Sequence, residues 1–212
     1  MKKWLTAMMA AFLVFAFTAC AQTSLQETEP QNSTQGHAGT EMTDGYETEP
    51  QHEEDKNYAV VYFSATGTTE EIAKKIAEEL GADIFEIEPQ EPYSAEDLNY
   101  GDDSCRANQE MNDEGARPVI RNDLSQVEEY KTIYLGYPIW WGTAPRIIQT
   151  FLDTYHLDGK EIYTFCTSGG SGIEQSLSDL ISNYPSLNIL GGKRFASGDG
   201  ADTIISWLKE LE

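Results

Sequence analysis

Ser64-Ala65-Thr66-Gly67-Thr68-Thr69 gathers four hydroxyls around one glycine, and no other stretch of the chain has clearer chemistry. The apolar run Tyr58–Phe63 before it reads as a buried strand. A helical stripe of Ile72, Ala73, Ile76, Ala77 and Leu80 follows at once. Strand, hydroxyl loop and helix start together form an anion cradle. Backbone N–H groups at a helix N-terminus carry partial positive charge, and the hydroxyls add donors. The loop contains no lysine or arginine. Neutral donors alone suit a phosphate monoester on a larger molecule better than a nucleotide polyphosphate with magnesium.

Two further loops have the same setting. Lys131–Tyr137 reads as a second buried strand, stopped by Pro138, and Ile139-Trp140-Trp141-Gly142-Thr143-Ala144 follows as a loop with adjacent indoles. Glu161–Cys166 reads as another strand, and Thr167-Ser168-Gly169-Gly170-Ser171-Gly172 after it lets backbone approach a ligand closely. The remaining elements must position these loops. Ala82–Ile87 alternates like an edge strand, and a weakly helical piece lies around Glu96–Met111. Pro145 suits the first turn of a helix reaching about Tyr155. Another helix ends near Asn183, a last strand lies within Leu187–Phe195, and a last helix covers Ala201–Leu211.

Strands alternating with helices predict an α/β fold with a parallel sheet covered on both faces. Right-handed crossovers and five strands in the order 2-1-3-4-5 put the first and third loops on either side of one switch point. All three loops then open at the carboxyl ends of the strands, where open α/β sheets bind ligands. A ligand with a phosphate at one end and a flat ring at the other satisfies the set, and flavin mononucleotide (FMN) has that shape. Core packing beneath the loop is an equal reading for one of the two tryptophans, because indoles bury large areas.

The Ser64–Thr69 loop is similar to the phosphate signature of flavodoxins. Gly136-Tyr137-Pro138-Ile139-Trp140-Trp141-Gly142 and Phe165-Cys166-Thr167-Ser168-Gly169-Gly170-Ser171-Gly172 resemble the flavodoxin-4 type of flavodoxin-like proteins. The resemblance spans roughly residues 57–212 and implies a three-layer flavodoxin-like sandwich binding FMN noncovalently. It implies that Ser64, Ala65, Thr66, Gly67, Thr68 and Thr69 hold the phosphate. Pro138, Ile139, Trp140, Trp141, Gly142 and Thr143 would border one side of the ring, and Thr167, Ser168, Gly169, Gly170, Ser171 and Gly172 the other. One tryptophan, with Trp141 favoured, would stack on the ring, and backbone near Trp141-Gly142 would hydrogen-bond its N5. No acid or base is required for electron exchange. An acidic site without lysine or arginine is expected to disfavour negative charge on the reduced ring.

The rest of the chain bears on where the protein works. Met1-Lys2-Lys3, the apolar stretch Trp4–Ala19 and small residues before Cys20 describe a secretory signal. Phe17-Thr18-Ala19-Cys20 resembles a bacterial lipobox, with Phe17 where leucine is usual; it implies a lipoprotein signal segment over residues 1–20, cleaved before Cys20, which carries a lipid on its sulfur and becomes the first residue. An ordinary cleaved signal or an uncleaved anchor is the alternative. Residues 21–56 are rich in Gln, Thr, Glu and Ser and nearly lack large apolar groups, the composition of a disordered acidic tether. A net charge of −22 excludes a nucleic-acid binder, whose surface must be basic. The Cys and His residues lack metal-site spacing, and secretion would permit a Cys105–Cys166 bridge.

These readings combine into an extracytoplasmic, membrane-anchored FMN lipoprotein that transfers electrons to a redox protein or a small-molecule acceptor. An NAD(P)H- or quinone-linked flavin reductase of the same fold is the nearest alternative oxidoreductase. A flavin-free binding module on the same scaffold is the alternative from another class, because fold does not fix function. Lys2-Lys3 is not a twin-arginine pair and no threonine flavinylation sequence is present, so the cofactor would be acquired after export.

Overall fold

The computed structural model describes residues 57–211. The leader with Cys20, the acidic tract 21–56 and Glu212 lie outside the described residues. Five strands, β1 (Tyr58–Tyr62), β2 (Asp83–Glu86), β3 (Thr132–Pro138), β4 (Glu161–Thr167) and β5 (Asn188–Phe195), form one sheet in the order β2-β1-β3-β4-β5. Every adjacent pair is parallel. This is the predicted flavodoxin-like topology.

The pleat divides the apolar residues between two cores. On β1, Ala59, Val61 and Phe63 join the core on one face, and Val60 and Tyr62 the core on the other. Helices α1 (Thr68–Leu80) and α5 (Ala201–Glu210) cover the second face with Ile72, Ile76, Ile204 and Trp207. The first face is covered by α3 (Arg146–Thr154), α4 (Glu174–Asn183) and the long connection between β2 and β3. Gly81, at φ 60°, ends α1 with its N–H on the carbonyls of Ala77 and Glu78, the glycine stop that the sequence predicts.

The connection departs from expectation. Helix α2 spans only Arg106–Asn112, not the predicted Glu96–Met111. The Asp102 carboxylate accepts from both the N–H (2.8 Å) and hydroxyl (2.6 Å) of Ser104, and Ser94 and Asp97 cap each other's N–H groups. Such side-chain bonds offer the backbone an alternative to the helix, and Gly101 weakens it further. Glu88–Gln90 instead pairs with Val119–Arg121 through Gln90 N–H to Val119 O (2.7 Å) and Arg121 N–H to Glu88 O (2.8 Å). Pro145 also differs slightly from its predicted place: it stands just before α3 as its N-cap.

Candidate functional site

All three predicted loops sit at the carboxyl ends of β1, β3 and β4. The hydroxyl loop is wound by Gly67, whose φ of 89° favours glycine. Its N–H donates to Ser64 Oγ (3.1 Å), so the Ser64 hydroxyl faces back into the loop. The first backbone bond of α1 runs from Glu71 N–H to Gly67 O (3.1 Å). Helical geometry therefore leaves the N–H groups of Thr68, Thr69 and Glu70 without intrahelical acceptors. Thr66 is exposed and Thr68 half-buried. Glu70, in the same turn, is held by Lys74 at 2.5 Å.

Thr69 and Thr167 are buried and share a hydrogen bond of 2.8 Å between their hydroxyls. This contact ties the first loop to the third across 98 residues of sequence, which no local pattern could reveal. The Thr69 hydroxyl is engaged in the interior, so its backbone N–H is the donor left to meet a ligand. Thr69→Val is expected to cost about 1–3 kcal/mol, because it leaves the Thr167 hydroxyl buried without a partner. Replacing both threonines by valine should recover much of that loss in urea unfolding. A double variant less stable than the single one would contradict this account.

The two tryptophans have different positions. Trp140 is 3% exposed and meets Tyr93, Phe63 and Tyr100 edge-on at 5.1, 5.7 and 6.2 Å between ring centroids. Its indole belongs to the core beneath the loop. Trp141 is 66% exposed, and its indole N–H donates to Asn108 Oδ1 at 2.6 Å. Asn108 is itself buried on α2, and its amide donates to the carbonyls of Tyr100 (3.1 Å) and Asp102 (2.8 Å). The irregular connection thus fixes the exposed indole. Sequence reasoning missed Asn108, since a polar residue inside a weak helical pattern carries no signal of its own.

A cleft of about 440 Å³ opens where the hydroxyl and glycine loops meet, lined by Thr66, Thr68, Pro138, Thr167, Ser168 and Gly169. Gly169 and Gly170 are exposed, and a Cβ on either would meet open space. Ser171 and Gly172 are exposed as well, and the Ser168 hydroxyl bonds the Ser171 carbonyl. Ile139, Gly142 and Thr143 are half-buried in the tryptophan loop, and Ala65 is half-buried beside Ser64. A cleft of about 550 Å³ lies at the opposite end of the sheet around Tyr58, Thr132 and Glu161. We place the site in the smaller cleft because the strand carboxyl ends and the helix N–H groups face it.

The expectation of a site without lysine or arginine is corrected here. Arg194, near the end of β5, lines the same cleft and donates from Nη2 to Ser168 O at 2.9 Å. Its Nε is buried and has no partner. The hydroxyl loop itself is free of cations, as read, but the neighbouring strand supplies one. Arg106, Arg117 and Arg121 instead pair with Glu110 (2.7 Å), Asp153 (2.5 Å) and Glu88. Cys105 and Cys166 are free thiols, both buried, so the permitted bridge is not formed. Burial pushes the Cys166 thiol up to about 12, against a smaller opposing pull from Arg194, which keeps it a neutral core group.

The flavodoxin family profile matches residues 57–211. The chain belongs to the flavodoxin family. A Bacteroides uniformis ATCC 8492 protein assigned as a flavoprotein is 41% identical, with a TM-score of 0.70 over 72% of this chain and 97% of its own. A Bacteroides eggerthii DSM 20697 protein, likewise assigned, is 39% identical, with a TM-score of 0.70 over 73% of this chain and 97% of its own. A Lactobacillus acidophilus NCFM flavoprotein, solved in complex with FMN, shares the fold at 24% identity and a TM-score of 0.57, over 73% and 99%. A search of curated proteins finds no match. Within this flavodoxin, the residues present fit a phosphate-bearing ligand: Thr66 and Thr68 at the start of α1 line one cleft with Arg194, whose buried Nε has no partner.

Proposed function

We propose that this flavodoxin binds FMN noncovalently at the carboxyl ends of β1, β3 and β4 and carries electrons outside the cytoplasmic membrane, held there by lipid on Cys20. The observation that carries the reading is the convergence of Thr66, Thr68, Thr167 and Ser168 on one cleft beside the open N-terminus of α1. The flavoprotein assignment of the Bacteroides relatives and the FMN of the Lactobacillus neighbour agree with it.

FMN, when bound, supplies the one- and two-electron chemistry. The chain supplies binding and orientation. The Thr68, Thr69 and Glu70 N–H groups and the Thr66 and Thr68 hydroxyls would hold the phosphate. Exposed Trp141 offers an aromatic face, and the backbone at Gly169–Gly170 allows close approach. The leader and acidic tract of the sequence support export and tethering.

Protein isolated from its native membrane fraction is expected to show a flavin absorbance spectrum, and flavin-free protein should regain it on titration with FMN at one per chain. Colourless protein that gains no spectrum would overturn FMN binding. Recovery only from the soluble fraction would overturn the anchor, and rapid steady oxidation of NADH or NADPH with quinone acceptors would overturn the simple carrier.

A further inference from the structure

Arg194 has no carboxylate partner among the described residues, although the chain carries a net charge of −22. Position in the sheet explains how it reaches the cleft. Phe195 turns into the core beneath α1 and α5, so Arg194 points to the other face, in register with Cys166. From there the guanidinium turns over the end of β4 to the Ser168 carbonyl. That bond uses one nitrogen. Nε, buried and unpartnered, is the one such side-chain nitrogen or oxygen among the described residues.

A guanidinium held partly out of water is costly unless an anion or several acceptors meet it. Ser168 O is a single neutral acceptor. Arg194 is also the only charged residue lining the cleft; its companions there include Thr66, Thr68, Thr167, Ser168 and Ser197. A cation among hydroxyls, with acidic groups absent from the lining, is matched to an anion that enters from outside. Arginine's fixed fork suits phosphate oxygens in particular.

We infer that Arg194 is a specificity-determining residue that supplies the counter-charge to the ligand's phosphate and so selects a phosphorylated flavin over its unphosphorylated form. This rests on the FMN reading and deepens it: the loop donors orient the phosphate, and Arg194 answers its charge. A phosphate monoester is nearly a dianion at neutral pH, its second ionisation lying near pH 6. In a strongly acidic protein, neutral donors alone would leave that charge in a repulsive field.

The test compares FMN with riboflavin, which shares the ring and lacks the phosphate. Dissociation constants are measured by quenching of flavin fluorescence for wild type, Arg194→Gln and Arg194→Lys, each first shown to be folded by thermal melting. Arg194→Gln is expected to weaken FMN binding by about tenfold or more while leaving riboflavin nearly unchanged, because charge-assisted bonds outweigh neutral ones. Arg194→Lys, which keeps the charge and loses the fork, should fall between. Equal weakening of both flavins would mean that Arg194 only pins the loop through Ser168, and unchanged FMN affinity would mean that the charge is not used; either result overturns the inference. Should Arg194→Gln not fold, Arg194→Lys carries the same comparison, with the loss again confined to FMN. Wild-type protein that binds neither flavin overturns the FMN reading itself and this inference with it.

Discussion

Gly136→Ala is expected to lower the stability of the protein by about 3 kcal/mol, the upper end of what overpacking a dense core costs. Gly136 lies in β3, the central strand, opposite Phe165 of β4 in the register. A Cβ added to it would overlap the Cζ, Cε2 and Cε1 atoms of the Phe165 ring, the farthest of them at only 2.7 Å. Phe165 is fully buried, packed in the core beneath α1 and α5. The ring has no solvent-side escape, so relief requires shifting two paired strands. For a domain of this size the melting temperature should drop by roughly 6–12 °C. Urea unfolding of Gly136→Ala beside wild type measures the effect. A loss below about 1 kcal/mol would show that this core is far more deformable than close packing allows.

Trp141→Asn is expected to cut FMN affinity by at least about tenfold, the scale of losing one aromatic stacking surface, and to change stability by less than about 1 kcal/mol. Trp140 and Thr143 exchange both backbone hydrogen bonds at 3.0 Å around Trp141 and Gly142. The two central residues have φ of 50° and 85°, as a type I′ turn demands. Such turns favour Asn-Gly. Here the first place is held by tryptophan, the one non-glycine residue with positive φ among those described. Holding it there costs of order 1–3 kcal/mol. Burial does not offset this, because the indole is largely exposed; only the bond to Asn108 does so in part. Asparagine removes the strain and that bond together, and the two changes oppose each other. Strain in an exposed aromatic in the loop after β3, at the carboxyl end of the sheet, points to use of its face. Melting curves and FMN titration of the variant decide the matter: retained affinity with lost stability would make Trp141 a structural residue.

Much of the fold was legible because its signals are local. The alternation of buried strands and amphipathic helices appears in the order of residues, from the stripe Ile72, Ala73, Ile76, Ala77 to the terminal Ile204 and Leu208. The glycine stop at Gly81 and the hydroxyl loop at Ser64–Thr69 depend on residue type at one place in the chain. Handedness and crossover rules then reduce five such strands to very few arrangements. The weakly helical piece at Glu96–Met111 failed for an equally local reason: Ser94, Asp97, Asp102 and Ser104 bind backbone or one another.

The functional details required the assembled sheet. Periodicity shows that Trp140 and Trp141 share a loop, but only packing separates a core indole among Phe63, Tyr93 and Tyr100 from an exposed one tied to Asn108. Composition places Arg194 on a strand, yet the parallel order β3-β4-β5 alone brings its charge to the cleft beside the hydroxyl loop. The Thr69–Thr167 bond likewise exists because two strand ends become neighbours after folding. The sequence by itself determined which segments form strands and helices and where the hydroxyl loop joins β1 to α1, since backbone preference and hydrophobic period act over a few residues. The tertiary structure decided which side chains are left free to meet a ligand, since that depends on contacts between residues far apart in the chain.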